Sequence, residues 1–466
     1  MWIVSVTVAK KLFVLTFALV IGSVFLLSLG RQDVGEAAGG GTVIRNASMV
    51  ITMDPQVGTV ENADVLMDGD RIVAVGRGLQ SGGAKVVDGR GKIVLPGFVD
   101  LHTHLWQSLI RGCATDKELN GWLGGCVLPL YGSPVNGADA YAGARLSTLD
   151  SLSTGVTTVT DWSHAFNADF ARGNLQALVD SKQRFVFSYA GGKDPAINPE
   201  IRRVKKEVID SNPLAHLMIG THPTTGNYEN TLASEKLAEE LGVSLNVHLH
   251  ESKADPATGQ MDALRRAGAL RPGLLTNHTI QMTDAELDEL AAHDVRVAHN
   301  PLSNMRLASG IARVPDMKTR NMKVGLGLDG GTNDTSDMFN NMRAAVGLQR
   351  AQSTDPAQYP TPTDVLRMAT LGGAEVLGLE KEIGSLTPGK KADLVVIDTQ
   401  ALNFAPKVDW PAQVVFNTQP ANVQWVFVNG VPLKKDGKVV GDAGRAIADA
   451  QAAADRVKKY LGRESS

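Results

Sequence analysis

Cysteine is scarce in this sequence. Only Cys113 and Cys126 occur among 466 residues, and no CxxC pair is present. That excludes a disulfide framework and a thiolate metal cluster. The two residues read as buried free thiols. An excess of charge of one sign is also lacking. The chain carries 46 Lys and Arg against 49 Asp and Glu, a formal net charge of -3. Nothing general therefore draws it to nucleic acid. No repeat beyond strand-helix alternation and no low-complexity tract is present, which excludes a repeat array. Long apolar runs are absent too, with one exception at the N-terminus.

That exception follows Lys10 and Lys11 and extends from Leu12 to Leu29. Arg31, Gln32 and Asp33 come next, then small residues at Ala37 and Ala38. Positive residues, an apolar stretch and small residues have the order of a secretory signal. The run is also nearly long enough to span a bilayer. Residues 1–38 are therefore expected to be a signal peptide or N-terminal anchor outside the fold. The protein is expected to be exported, either secreted or membrane-anchored, with membrane contact only through that segment.

What is present in quantity is alternation. Residues 39–95 show short β-branched segments broken by Asp-Gly and Gly-Arg-Gly turns, which predicts a small antiparallel sheet. From Pro96 the pattern changes to apolar strands separated by helical stretches. Eight such strands are expected: FVDLHTH, GVTTVTDW, RFVFSYAG, AHLMIGTHP, VSLNVHLHE, LLTNHT, VRVAHNP and KVGLGLDGG. Eight strands with intervening helices predict an α/β fold, a (β/α)8 TIM-like barrel over 96–382. After 383 strands return, with ADLVVIDT and a Lys-Asp-Gly turn, then a closing helix from Ala446 to Leu461. Residues 39–95 and 383–466 thus form a small discontinuous β-sandwich domain into which the barrel is inserted.

The chemistry collects at the strand ends. On a strand, residues i and i+2 share a face, so His102 and His104 project together from the first barrel strand. His222 ends the fourth, and His248, His250 and Glu251 end the fifth. His278 ends the sixth, His299 the seventh and Asp329 the eighth. Barrels of this kind carry their active sites where the strands end. Imidazoles and a carboxylate gathered there are the donor set of a divalent metal. His250 reads as structural. His164, after Asp161-Trp162, suits either pocket lining or packing. His216 and His293 read as ordinary.

PGFVDLHTH, VHLHE, TNHT, HNPLSN and GLGLDGG, in this order, resemble the amidohydrolase superfamily. The likeness is to its deaminase and chlorohydrolase branch, and HTHLWQSLIRGCATDKELNGWL, HNPLSNMRLASG and GSLTPGKKADLVVID extend it over residues 42–440. The resemblance implies His102, His104, His248 and Asp329 as metal ligands, with zinc first and iron or manganese suited by the same donors. It implies Glu251 as proton shuttle, with catalytic parts for His278 and Asp329. It implies substrate contacts at His222, His299 and Arg306. Trp106 and Tyr131 are read as rings that stack on a flat substrate.

Two departures narrow the reading. The fourth strand, LMIGTHPTT, has no lysine to be carboxylated and to bridge two metals, so one metal is expected. The adenosine-type deaminases carry VLPxE, whose Glu binds ribose hydroxyls, but here the segment reads VLPLY with Tyr131. The expected activity is hydrolysis of a non-peptide carbon–nitrogen bond, as hydrolytic deamination of an amino-substituted nitrogen heterocycle. The alternatives are a cyclic amide or imidazolone-type amidohydrolase, a chlorohydrolase, or a non-catalytic binding or assembly module on the same fold. The partner expected is a small-molecule substrate. Family likeness implies a homo-oligomer.

Overall fold

The computed structural model describes residues 41–191, 197–331 and 336–462. The expected signal or anchor at 1–38 lies outside them. All eight expected barrel strands form: Phe98–Thr103, Val156–Ser163, Arg184–Ala190, Ala215–Thr221, Leu245–Leu249, Leu275–His278, Arg296–His299 and Val324–Leu326. They pair in chain order as one eight-stranded sheet, and every pairing is parallel. The ring is joined by a parallel bridge between Thr103 and Asp329. There the Asp329 N–H donates to the His102 carbonyl at 2.6 Å. Strands covered on both faces read as near-continuous apolar runs, and every residue of Val156–Ser163 is buried.

The entrance to the first strand shows why Pro-Gly-Phe is needed. A Cβ on Gly97 would lie 2.1 Å from Thr157 Oγ1, so only glycine lets these two strands meet. A second tight approach occurs at Gly327, where a Cβ would lie 2.1 Å from Asn300 Oδ1 and 2.9 Å from the His102 Cβ.

The chain on either side of the barrel builds one nine-stranded sheet. The C-terminal strand Leu394–Asp398 pairs antiparallel with Lys92–Pro96, which leads directly into the barrel. The sheet is mixed, not purely antiparallel as its turns suggested. Lys85–Asp88 and Lys92–Pro96 both run parallel to Thr42–Ile51. Short turns disclose hairpins, whereas these parallel neighbours are joined through longer excursions. The closing helix spans Ala443–Val457 and buries Ala446, Ala450, Ala453 and Val457. Its Arg456 reaches the buried Asp139 at 2.6 Å.

The expectation of free thiols is corrected: Cys113 and Cys126 form a disulfide. The segment from Leu105 to Leu130 doubles back through short helical turns. That brings the two Cα atoms to 6.1 Å, within bonding range. Thirteen positions of separation in the sequence carry no sign of this approach.

A buried ion pair ties the barrel to the sheet. Arg184, which opens the third barrel strand, donates to Asp393 at 3.2 Å, with the two side chains 3% and 2% exposed. Arg184 also donates to Asn429 Oδ1 at 2.6 Å, and Asp393 accepts the Asn429 N–H at 2.7 Å. Removing one partner strands a buried charge, which typically costs about 3–5 kcal/mol. Asp393→Ala is expected to lower unfolding free energy by about that amount, measured by denaturant titration. A loss below about 1 kcal/mol would show that water reaches Arg184 instead.

Candidate active site

Donor atoms converge at the mouth of the barrel. His102 Nε2 and His104 Nε2 stand 3.6 and 3.5 Å from Asp329 Oδ1. His248 Nε2 stands 3.4 Å from His104 Nε2. The His104 tautomer follows from its other nitrogen, where Nδ1–H donates to the Trp162 carbonyl at 2.7 Å. His104 Nε2 is therefore a lone pair that faces a carboxylate and a second imidazole. His102 Nε2 has no hydrogen-bond partner although it is buried. Nitrogen and oxygen ligand atoms gathered this closely suit a cation among them. Donors about 2.0–2.2 Å from a tetrahedral zinc stand about 3.3–3.6 Å from one another, and these separations match. His102, His104 and His248 lie close enough together to hold one ion, and His102 and Asp329 also group with His278, whose Nδ1 is taken by Asn304.

The neighbours orient these groups. Asp100 Oδ1 accepts the N–H of Leu328 at 2.8 Å and of His102 at 3.2 Å, so it clamps the first strand to the eighth. Ser303 donates to Asp329 Oδ2 in a short hydrogen bond. Asn304 donates to His278 Nδ1 at 2.8 Å. That leaves the proton of His278 on Nε2, which stands 3.4 Å from Glu251 Oε2 without a hydrogen bond between them. Asp161 accepts the Leu105 N–H and an Asn174 N–H at 2.9 and 2.6 Å. Backbone strain gathers here as well: His250, His278, Thr279 and Asp329 all have positive φ, a conformation that persists only where surroundings enforce it.

Burial controls the charges. It raises the Glu251 carboxyl well above its ordinary value, with the Asp329 and Asp255 charges adding to the rise. Burial pushes the Asp161 carboxyl up to about 7 and raises Asp100 also. The imidazoles move the other way: His222 and His278 are pushed down to about 4.

Beside the cluster is a cavity of about 400 Å³. Its lining includes His104, His164, His222, His248, Glu251, His278 and Asp329, with Leu119, Trp122, Leu123, Val127, Leu128 and Tyr131 on the outer side. Among the described residues it carries no lysine or arginine. Trp106, His299 and Arg306 do not belong to this lining. Trp106 is wholly buried, because its indole turns inward against Phe166 and Phe170. His299 is buried behind the strand end. Arg306 borders a separate crevice with Cys113 and Trp122. His250 is also buried, 4.0 Å from Glu286, and faces away from the cavity.

Sequence reasoning passed over Asp100, Asp161, Ser303 and Asn304. Asp100 lies inside the DLHTH motif, and Ser303 and Asn304 lie inside HNPLSN. The signal was available there, but a buried polar residue in a motif does not say which strand it clamps.

An eight-stranded barrel with this donor set at its mouth defines a metal-dependent hydrolase. The chain belongs to the amidohydrolase family, whose profile matches residues 93–433. It is 33% identical over 414 residues to a 5'-deoxyadenosine deaminase of Methanothermobacter thermautotrophicus, covering 84% of this chain and 95% of the relative. It is 31% identical over 429 residues to a 5-methylthioadenosine/S-adenosylhomocysteine deaminase of Pelotomaculum thermopropionicum, covering 89% and 98%. A solved adenosine deaminase from Xanthomonas campestris with bound zinc superposes with a TM-score of 0.81 at 26% identity, covering 91% of this chain and 99% of that one.

The expectation of export is corrected. The relatives matched over most of the chain are nucleoside deaminases, and no helix among the described residues is long and apolar enough to cross a membrane. An apolar run after two lysines records hydropathy alone, and this run lies outside the described residues.

Acidification should weaken this site. Burial holds His102, His104, His164, His222, His248, His278 and His299 below the ordinary imidazole value. Below about pH 6.5 the unfolded chain takes up these protons and the folded chain does not, so stability falls as pH falls. The raised carboxyls of Asp100, Asp161 and Glu251 oppose this, but they are fewer. The thermal midpoint of metal-free protein is expected to drop between pH 7 and pH 5, with metal retention falling over the same range. A flat or rising midpoint would refute it.

Proposed function

We propose that this protein is a mononuclear zinc hydrolase that deaminates an amino-substituted nitrogen heterocycle. The observation that carries the reading is the convergence of His104, His248 and Asp329 donors at 3.4–3.5 Å beside the Glu251–His278 pair. His102, His104, His248 and Asp329 would hold the metal, and zinc suits three imidazoles and a carboxylate. Iron and manganese accept the same donors. When bound, the metal acidifies water so that hydroxide is available near neutrality. The relatives' nucleoside substrates and the zinc of the Xanthomonas campestris enzyme support this reading.

The chain's own residues supply the proton handling. An amide or amine anion leaves poorly, so the departing nitrogen must be protonated. Glu251 accepts a proton from the attacking water and delivers it to that nitrogen. Its raised pKa suits the task, because a carboxyl that holds a proton at higher pH is a better acid there. His278, with its proton on Nε2, steadies Glu251 and the charge that develops on the ring. His222 lies against Trp162 at a centroid distance of 4.7 Å and contacts the substrate from the fourth strand. With three carboxyls and no cation in the described lining, an anionic substituent is disfavoured.

A screen of amino-heterocycles for ammonia release, run with added zinc, manganese and iron, tests the activity. Turnover of cyclic amides alone would refute deamination. For the residue roles, Glu251→Gln is expected to keep its metal and to lower kcat by about 10²–10⁴. Near-full turnover in that variant would remove Glu251 from the mechanism. Asp329→Asn should lose metal and activity together, as metal analysis and assay of the same preparation would reveal. His250→Ala should change kcat far less than Glu251→Gln.

A further inference from the structure

His164 is buried at the cavity wall, 8% exposed, and takes no part in the proton handling by Glu251 and His278. It follows the second barrel strand, Val156–Ser163. In the eight-stranded ring that strand lies four places from the sixth, whose end carries His278. The His164 ring lies 4.7 Å from His104, on the far side of the donor cluster from Glu251 and His278.

Its hydrogen bonding identifies its protonation. The Trp106 indole N–H donates to His164 Nδ1 at 3.0 Å. An indole N–H can only donate, so Nδ1 must be the unprotonated nitrogen and the ring hydrogen must sit on Nε2. His164 Nε2 has no protein partner among the described residues. It is also absent from the buried polar atoms cut off from space, and the residue lines the cavity. A fixed N–H thus opens into the substrate space with nothing in the described protein to accept it. A ligand that fills the cavity displaces water from this N–H and must offer an acceptor in its place, because a donor left unmatched under a bound ligand is unfavourable.

We propose that His164 is a specificity-determining residue: its Nε2–H, oriented by Trp106, donates to an unprotonated ring nitrogen on the substrate edge remote from the Glu251–His278 pair. Trp106 is then a positioning residue that never touches substrate. His164 and Tyr131 both line the cavity, held through Phe166 packed 5.6 Å from the first ring and 4.7 Å from the second, and a pair of rings there suits a flat substrate. This deepens the deaminase reading and rests on it. The substrate class becomes a neutral amino-heterocycle with at least one acceptor nitrogen besides those beside the reacting carbon.

The test uses metal-loaded full-length protein with 5'-deoxyadenosine and its 3-deaza and 7-deaza analogues, in which a ring nitrogen becomes C–H. In wild type, one analogue should lose about ten- to a hundredfold in kcat/KM relative to the parent. In His164→Phe the parent should fall by a similar factor, and the discrimination against that analogue should vanish. His164→Gln, which restores an N–H near the Nε2 position, should recover part of the discrimination. Trp106→Phe should lose part of it, with the effect confined to the parent substrate. If His164→Phe discriminates as wild type does, or His164→Gln recovers none of the discrimination, the proposal is overturned. Should the phenylalanine variant fail to fold, the Gln and Trp106→Phe ratios decide. Wild type that deaminates 5'-deoxyadenosine yet treats both analogues alike overturns the His164 role and leaves the deaminase reading standing. Wild type that turns over none of the three, nor any amino-heterocycle of the ammonia-release screen, overturns both.

Discussion

The His104 Nε2 lone pair faces a second imidazole at 3.4 Å and a carboxylate at 3.5 Å at the barrel mouth. Water would normally separate such groups, and burial denies them that relief. A cation shared among them makes the arrangement favourable, and the barrel mouth holds the ligand atoms in place for it. Each restraint is visible in the surrounding bonds. The Trp162 carbonyl holds His104, Asp100 clamps the first strand to the eighth, and Ser303 anchors Asp329. Positive φ at Asp329 and His278 is part of the same cost.

The cluster's chemistry depends on an asymmetry around the ring. On one side lie Glu251 and His278, a carboxyl raised by burial and an imidazole whose proton Asn304 fixes on the nitrogen nearer to it. On the other lies His164, whose proton Trp106 directs into the cavity. In both cases a side chain outside the cavity decides which nitrogen of a histidine carries hydrogen. The outer wall, from Leu119 to Tyr131, starts inside the loop closed by the Cys113–Cys126 disulfide and continues just past it. The apolar cover and the polar floor therefore come from different parts of the fold: a stapled excursion after the first strand, and the strand ends themselves.

Several of these relations are legible in the order of residues alone. HTH on a strand puts two imidazoles on one face by the pleat, and the recurrence of histidines at apolar strand ends points to one centre. The eight strands are legible because strands buried on both faces need long apolar runs, and turns interrupt those runs sharply. The motifs also name Glu251 and Asp329 by resemblance. Trp106 is legible as an aromatic near the site but not in its direction, since a ring beside a histidine motif can face substrate or core.

The sequence by itself determined the elements and their order, because backbone periodicity and turn chemistry act over a few residues. It determined the chemical character of the centre, because nitrogen and oxygen donors at strand ends suit few other uses. Only the tertiary structure decided the pairing of Cys113 with Cys126, the mixed direction of the outer sheet and the Arg184–Asp393 tie. The same holds for the bonds from Asp100 to Leu328 and from Trp106 to His164, which join positions 228 and 58 apart in the chain. Contacts over such separations leave no local periodicity. They exist only once the ring has closed and burial has made every unpaired polar atom costly.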